Sequence, residues 1–243
     1  MPELQQPSAT QKSGWVSPNY NRSRNVTIDE HQAVENRCVA LRSELPEVEH
    51  YRILRTQILQ RTRENGGSTI MITSPRTGDG KTLTAINLAL SFAREFKKTA
   101  LLVDCDLRKQ QIQHCLGISG GKGLVDYLLD DCPVADLMVW PGIEKLTLIS
   151  GGRTIGESTE LLGSPRMQEL VAEMKSRYPD RYVFFDVPAV LDGADALAFA
   201  PLVDHILLTV RAGVTAREDI RRAASLLPQE KLLGLVLNGE QKE

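Results

Sequence analysis

The stretch that most constrains the fold of this 243-residue chain covers residues 74–82 and reads Ser-Pro-Arg-Thr-Gly-Asp-Gly-Lys-Thr. The apolar run 69–73 before it predicts a strand, and Leu83, Ile86 and Leu90 after it recur at helical spacing. A strand, a glycine-bearing loop, Lys-Thr and a helix, in this order, are typical of a phosphate-binding loop. The sequence therefore predicts a nucleotide site at this point of the chain.

The residue types in this loop each have a physical role in holding phosphate. Gly78 and Gly80 let the backbone turn so that successive N–H groups face one anion. The N-terminus of the following helix adds partial positive charge, Lys81 is expected to reach the β- and γ-phosphates, and the Thr82 hydroxyl is expected to bind Mg²⁺. The predicted nucleotide-binding residues are consecutive: Thr77, Gly78, Asp79, Gly80, Lys81, Thr82 and Leu83.

The loop departs from the strict motif at Pro75, where the motif has glycine. The alternative explanation is a glycine-rich turn that only caps a helix. The predicted strand before the loop and the amphipathic helix after it favour a phosphate loop, as do acidic residues that follow two later strands.

Composition indicates one globular α/β domain with a substantial core, because 42% of the residues are apolar and 25% are charged. The formal net charge of −2 gives no reason to expect a nucleic-acid partner or an anionic membrane surface. The cysteines form no CxxC pair, so no zinc signature is present, and unpaired cysteines are typical of a reducing cytoplasm. No apolar run approaches the roughly 20 residues of a membrane span, so we expect no direct span.

Apolar runs that alternate with helical patterns predict the domain organisation. We expect residues 1–28, rich in Pro, Ser, Asn and Gln, to be a disordered N-terminal tail, and residues 29–243 to form one P-loop domain. Within that domain we expect a helix over residues 46–65 that ends at Gly66-Gly67. Later apolar runs predict strands near 99–103, 145–149, 182–185, 205–210 and 232–237, and helical patterns predict helices at 123–129, from Pro165 and over 215–227.

This order of elements predicts the fold class: an α/β P-loop NTPase with a mostly parallel sheet and helices on both faces. Ligands of such sheets bind at the carboxyl ends of the strands. Asp104, Asp106 and Asp186 each follow a predicted strand, as the Gly-Lys-Thr loop does. Topology alone therefore predicts that three separate segments converge on one site.

The acidic residues provide the chemistry of a Mg·ATP site. Mg²⁺ takes oxygen ligands, for which Thr82, Asp104 and Asp186 are the candidates. One of the pair Asp104 and Asp106 can orient the metal or its water, and the other can accept the proton of the attacking hydroxyl. The predicted catalytic residues are thus Lys81, Asp104 and Asp106. The alternative for each aspartate is that it caps the loop or helix that follows its strand.

These motifs resemble those of bacterial tyrosine autokinases, the cytoplasmic ATPase domains of chain-length regulators in capsule and exopolysaccharide export. Residues 74–82, 101–108 and 183–188 are similar to the Walker A, Walker A′ and Walker B motifs of that family. Residues 49–56 resemble its Glu-x-x-Arg-x-x-Arg helix, and residues 149–152 with the later Glu-Leu-Leu resemble its glycine loop and "ELL" segment. The resemblance covers most of the chain after residue 45.

The resemblance implies a fold like that of MinD and ParA, ATP with Mg²⁺ as cofactors, and the site roles given above for Lys81, Thr82, Asp104, Asp106 and Asp186. It also implies a homo-oligomeric ring formed through Glu49, Arg52 and Arg55. The alternative for that helix face is an intrahelical ion-pair network, worth only tenths of a kcal/mol. Arg108 is expected either to neutralise charge or to be a solvated surface side chain.

The implied function is a Mg-ATP-dependent tyrosine-protein-kinase-like ATPase of exopolysaccharide or capsule biosynthesis. The implied partner is a Wzz-like membrane chain-length regulator, which would hold the cytoplasmic chain at the inner membrane. Ala189 departs from the family's second Walker B proline, and no tyrosine follows Tyr182. We therefore expect this chain to lack the family's C-terminal tyrosine cluster.

Two other functions remain open at this stage. One is a positioning ATPase of the Min or Par type, although Arg76 stands where those proteins have a signature lysine. The other is a nucleotide-gated oligomeric scaffold without kinase activity.

Overall fold

The structure is a computed structural model, and it describes residues 23–239. Residues 1–22, most of the predicted tail, lie outside the described residues. The prediction of a tail up to residue 28 is wrong at its end, because Arg24–Asn25 form a strand and Ile28 is buried. The N–H of Arg24 bonds the Met138 carbonyl at 3.0 Å. Backbone pairing of this kind leaves no apolar periodicity in the sequence.

The elements alternate as the sequence predicts, with additional short helices between them. The strands are β1 (Arg24–Asn25), β2 (Thr69–Thr73), β3 (Thr99–Asp104), β4 (Val139–Trp140), β5 (Leu146–Ile149), β6 (Arg181–Asp186), β7 (His205–Arg211) and β8 (Leu232–Asn238). The helices are α1 (Glu30–Glu35), α2 (Val48–Asn65), α3 (Lys81–Ala93), α4 (Ile112–Leu116), α5 (Leu124–Asp130), α6 (Val134–Leu137), α7 (Ser158–Leu162), α8 (Pro165–Arg177), α9 (Asp195–Phe199) and α10 (Arg217–Leu226).

Within residues 23–239 the strands form one sheet in the order β1-β4-β5-β3-β6-β2-β7-β8. Each neighbouring pair is parallel except β4 with β5, which is antiparallel. The carboxyl ends of β2, β3 and β6 therefore lie side by side at one edge. In this register Asp104 of β3 is the direct partner of Asp186 of β6.

Helices cover both faces of the sheet, which confirms the predicted layering. On one face α8 packs Met167, Leu170, Val171 and Met174 inward, at the spacing that predicted this helix. On the other face the buried helix α3 packs against β2, β3 and α2. The ring centres of Phe92 of α3 and Phe184 of β6 lie 5.0 Å apart. Among the described residues, none of the helices has both the length and the hydropathy that a transmembrane span requires.

Asp204, just before β7, joins three elements at the amino-terminal edge of the sheet. Its Oδ2 accepts hydrogen bonds from the backbone N–H groups of Ser68 at 3.0 Å and Thr69 at 3.1 Å, and from the Thr69 hydroxyl at 2.7 Å. Its Oδ1 lies 2.8 Å from Lys175 Nζ of α8. Burial acts to raise the pKa of Asp204, but the hydrogen bonds from Lys175 and Thr69 outweigh burial and lower it to about 2.

We expect Asp204→Asn to lower the free energy of unfolding at pH 7 by about 1–3 kcal/mol, because charge-assisted bonds to Lys175 and Thr69 are weakened. Since the folded pKa lies below the unfolded value of about 3.9, the contribution of the carboxylate is complete above that pH and is lost as the pH falls towards about 2. Urea unfolding of both proteins across this range measures the difference.

The matched control is Asp136→Asn, which removes an exposed carboxylate 3.9 Å from Lys122. Its effect should stay below about 0.5 kcal/mol. The difference in the free energy of unfolding between wild type and Asp204→Asn should shrink towards pH 2. If it stays unchanged, the ionised Asp204 carboxylate is not the source of the stability.

Candidate active site at the phosphate loop

The phosphate loop has the backbone that its glycines allow. Gly78 and Gly80 have φ angles of 96° and 97°, in the left-handed region, and Gly80 is the N-cap of α3. Inside the loop the Arg76 N–H donates to the Asp79 carboxylate at 3.0 Å, and the Ser74 hydroxyl donates to the Arg76 carbonyl at 2.8 Å. The loop is thus closed by its own side chains and leads directly into the N-terminus of a 13-residue helix.

The centre of the site is the Lys81 ammonium group, which lies between two carboxylates. Lys81 Nζ is 2.9 Å from Asp106 Oδ2 and 3.3 Å from Asp186 Oδ1. The Thr82 hydroxyl donates to the other oxygen of Asp186 at 2.6 Å. Residues that follow three different strands therefore meet at one point, as the strand-end rule indicates.

Asp104 is fully buried and is held by the backbone. Its Oδ1 accepts from the N–H of Asp106 at 3.1 Å and its Oδ2 from the N–H of Ile112 at 3.3 Å, so it fastens the loop after β3. Asp104 therefore caps the loop that follows β3 and the first residue of α4, in addition to any role in binding metal. Asp106 is the more accessible carboxylate, with a side chain that is 11% exposed.

Burial and mutual proximity set the charges of the site. Burial and the neighbouring carboxylate of Asp186 raise the pKa of Asp104, and Lys81 partly opposes this. Burial also raises the pKa of Asp186, against the opposing effects of Lys81 and Thr82. Burial acts to lower the pKa of Lys81, but Asp186 and Asp106 outweigh it, so its pKa is raised and the ammonium stays charged. Lys81 therefore offsets only part of the cost of placing these carboxylates together in the interior.

The donor atoms of this site fit a magnesium–nucleotide complex. Among the described residues, no group of three or more His, Cys, Asp or Glu side chains is arranged to hold a metal by itself. Mg²⁺ is usually bound by one or two carboxylates together with substrate phosphates and waters. The Thr82 hydroxyl and the Asp186 carboxylate, 2.6 Å apart, are oxygen donors of this kind. The metal roles of Thr82, Asp104 and Asp186 stay predictions.

Several residues around the loop were missed by sequence reasoning. The Asn238 amide donates to the Asp79 carbonyl at 3.1 Å, and the Thr215 hydroxyl donates to the Asp79 carboxylate at 2.7 Å. Asp192 accepts from the Thr77 N–H at 2.8 Å. Asn238 ends β8, so the same strand-end rule that pointed to the aspartates could have found it. Asp79 and Thr77 thus make supporting contacts within the chain, and Leu83 packs against the core beneath α3.

Arg76 and Arg108 both make contacts within the chain. Arg76 Nε lies 3.1 Å from Asp219 of α10, and its Nη1 lies 3.4 Å from Asp192. The Arg108 guanidinium donates to the Ser158 hydroxyl at 2.7 Å. Neither arginine is a freely solvated side chain.

The three residues predicted to mediate oligomerisation divide into two groups. Arg52 lies 3.0 Å from Glu49 and donates to the Ser43 carbonyl, while both side chains remain largely exposed. Arg55 instead donates to the Ser91 carbonyl of α3 at 2.7 Å and is only 18% exposed. In this chain Arg55 therefore contributes to the packing of α2 on α3.

Comparison with known proteins defines the class. Residues 70–239 match the family described as the CobQ/CobB/MinD/ParA nucleotide binding domain, so the chain is a P-loop nucleotide-binding protein of that class. Tyrosine-protein kinase YwqD of Bacillus subtilis (strain 168) is 33% identical over 195 residues, which cover 79% of this chain and 81% of YwqD. Within the class, this chain belongs to the family of bacterial tyrosine-protein kinases, as the sequence motifs predicted.

Solved structures agree with this assignment. The kinase domain of VpsO is 28% identical, with a TM-score of 0.72 over 87% of this chain and 98% of that domain. The septum site-determining protein MinD of Pyrococcus horikoshii OT3, complexed with Mg-ADP, is 23% identical, with a TM-score of 0.56 over 70% of this chain and 69% of that protein. The second likeness shows the fold alone. The predicted P-loop fold class is confirmed.

We expect Gly80→Ala to damage the site more than Gly78→Ala does. Both positions have positive φ, so both variants carry similar backbone strain. A Cβ on Gly80 would overlap the Asn238 amide nitrogen, whereas a Cβ on Gly78 meets nothing within 4 Å. The Asn238 amide is the end of a flexible side chain and can move aside, but it then loses its hydrogen bond to the Asp79 carbonyl. An extra cost of about 1 kcal/mol corresponds to a melting temperature lower by roughly 2–4 °C, with weaker ATP binding.

Thermal unfolding and calorimetric titration with a non-hydrolysable ATP analogue measure both effects. The double variant Gly80→Ala with Asn238→Ala should be about as stable as Gly80→Ala alone, because the hydrogen bond of Asn238 is already lost in the single variant. Equal losses in the two glycine variants would exclude close packing by Asn238 as the cause.

Proposed function

We propose that this chain is a Mg-ATP-dependent protein-tyrosine kinase that acts in exopolysaccharide or capsule biosynthesis together with a membrane chain-length regulator. The observation that carries the proposal is the meeting of Lys81, Thr82, Asp106 and Asp186 at the carboxyl ends of the sheet, next to a glycine-bearing phosphate loop. Membership of the tyrosine-protein kinase family supports the choice of a tyrosine hydroxyl as acceptor.

The site residues have distinct roles in this proposal. Lys81 can exchange its carboxylate partners for phosphate oxygens and neutralise their charge, because both kinds of partner are anionic oxygens. Asp106, the most accessible of the carboxylates, accepts the proton of the tyrosine hydroxyl. The tyrosine oxygen forms a bond to the γ-phosphorus, and the bond between that phosphorus and the leaving ADP breaks. Asp104 holds the loop that carries Asp106 in position.

Thr82, Asp186 and Asp104 would hold Mg²⁺, which neutralises phosphate charge when bound. The oxygen donors of the site support this role, and so does the relative in fold whose structure contains Mg-ADP.

The exposed part of α2 supports self-association. Glu49 and Arg52 are 59% and 41% exposed and form a charged pair on the surface of the helix. The family resemblance implies a homo-oligomeric ring, and we assign its subunit contact to Glu49 and Arg52. Arg55 is not part of this contact, because its guanidinium donates to the Ser91 carbonyl of the same chain. The partner is proposed to be a Wzz-like chain-length regulator that holds the chain at the cytoplasmic face of the inner membrane.

Arg76 supports the kinase proposal over a positioning ATPase. It stands where Min and Par proteins have their signature lysine, but its guanidinium is bound by Asp192 and Asp219 of the same chain. Such pairing favours a structural role for Arg76 within its own subunit.

The kinase is tested with the purified chain, its membrane partner and labelled ATP, with phosphotyrosine located by mass spectrometry on both proteins. Lys81→Met should abolish phosphate transfer. Asp106→Asn should lower transfer by about 10²- to 10⁴-fold while ATP affinity changes only a few-fold, because a general base acts on the chemical step. The exposed variant Asp136→Asn is the matched control. ATP hydrolysis with no phosphotyrosine on either protein would exclude the kinase and leave an ATPase.

The oligomer is tested by the double variant Glu49→Ala with Arg52→Ala. We expect the mass in size-exclusion chromatography with light scattering to fall from an oligomer to the monomer, with an unchanged melting temperature, because both side chains are largely exposed. Arg55→Ala, the comparison variant, should instead lower the melting temperature. An oligomer that survives the double variant would contradict the assignment of the contact to this pair.

A further inference from the structure

A second concave site lies at the amino-terminal ends of the strands, away from the phosphate loop. This groove has a volume of about 900 Å³ and is formed by the C-terminal half of α2, the turn between α3 and β3, the end of α8 and the starts of β2 and β6. The strand β2 separates the two sites: Thr69 begins it beside the groove and Ser74 follows it in the phosphate loop. Five residues of strand span about 17 Å, so the sites are distinct.

The groove carries an excess of positive charge. Arg63 of α2, Lys97 and Lys98 of the following turn, and Lys175 of α8 all line it. Its two acidic side chains each have a cation of their own: Glu95 lies 3.6 Å from Arg55, and Asp204 lies 2.8 Å from Lys175.

Among the side chains that the structure describes, which leave out those of residues 64 and 65, no acidic group lies within ion-pair distance of Arg63, Lys97 or Lys98. Three cations without an acidic partner among the described side chains thus line one concavity, in a chain whose formal net charge is −2. A cleft that is lined by charges of one sign focuses the electrostatic field. It thereby raises the local concentration of a ligand with the opposite charge.

One wall of the groove is apolar. Tyr182 is 6% exposed, and its hydroxyl is fixed by a 2.6 Å hydrogen bond to the Thr62 hydroxyl. The Lys98 ammonium lies 5.5 Å from the centre of the Tyr182 ring. Leu59 and Pro179 extend the apolar lining. The groove therefore combines an apolar wall with several cations, whereas a site for phosphate alone would need only the cations.

We propose that this groove binds a small phosphate-bearing anion with a ring attached, of the class of nucleoside diphosphates and sugar phosphates. The cations of α2 and of the turn contact the phosphate oxygens, and the ring lies against the apolar wall. Its volume lies in the range of small-molecule sites, which are concave and mostly apolar with a few polar groups. A soluble ligand fits this shape better than a membrane does, because the cations line a hollow. The site is separate from the kinase chemistry and goes beyond it.

The test is calorimetric titration of the full chain with uridine diphosphate and with inorganic pyrophosphate, without magnesium. The chain carries Lys81→Met so that the phosphate loop does not contribute. We expect both probes to bind, uridine diphosphate more tightly, and the affinity to fall as salt is added. Lys97→Glu with Lys98→Glu should weaken binding at least tenfold. Arg221→Glu with Arg222→Glu, the same charge change on the exposed face of α10, should leave the affinity within twofold.

Several results would overturn the proposal: no binding of either probe at millimolar concentration, equal affinity in the two charge-reversed variants, or binding of phosphatidylglycerol vesicles with none of the soluble probes. Should Lys81→Met fail to fold, wild type saturated with a non-hydrolysable ATP analogue and magnesium replaces it. Melting temperatures and ATP affinities of the charge-reversed chains show that the phosphate loop is intact. Failure of the kinase proposal leaves these measurements unaffected, so the two proposals fail separately.

Discussion

The ion pairs of Lys81 with Asp106 and Asp186 determine the arrangement of the active edge of this protein. Three aspartates lie there at less than one tenth exposure, and burial together with neighbouring carboxylates raises the pKa of Asp104 and Asp186. The Lys81 ammonium, between Asp106 and Asp186, offsets part of this negative charge. Removing one partner of such a pair leaves a buried charge without compensation, which costs far more than the intact pair contributes. The groups that a phosphoryl-transfer site requires are therefore also groups that the fold requires.

The parallel sheet explains why these residues meet. Because β2, β3 and β6 are adjacent and parallel, whatever follows each of them lies at the same edge. The opposite edge has a different chemistry: Asp204 ties the starts of β2 and β7 to α8, and the groove next to it is rich in lysine and arginine. The two ends of the sheet thus carry different sets of charged side chains: paired aspartates and Lys81 at one end, and mostly lysine and arginine at the other.

Helix α2 shows how one motif can serve two purposes. Glu49, Arg52 and Arg55 recur at a spacing of three, which in an isolated helix would place them on one face. The packing of α2 on α3 turns Arg55 towards the Ser91 carbonyl and leaves Glu49 and Arg52 at the surface. Spacing determines which residues are neighbours on a helix, whereas only the neighbouring helix determines which of them are buried.

The sequence by itself determined the phosphate loop, the strand-end aspartates, the parallel sheet with helices on both faces, and the family, because local periodicity and motif order carry that information. The short helices α4, α7 and α9 were not predicted, since five residues are too few to show a helical period. Only the tertiary structure decided which side chains surround the loop. Asn238 is 159 residues away from Asp79 in the chain, and β1 joins the sheet through backbone bonds that leave no trace in side-chain pattern. Contacts of this kind depend on where separate elements are packed, and packing is a property of the whole fold.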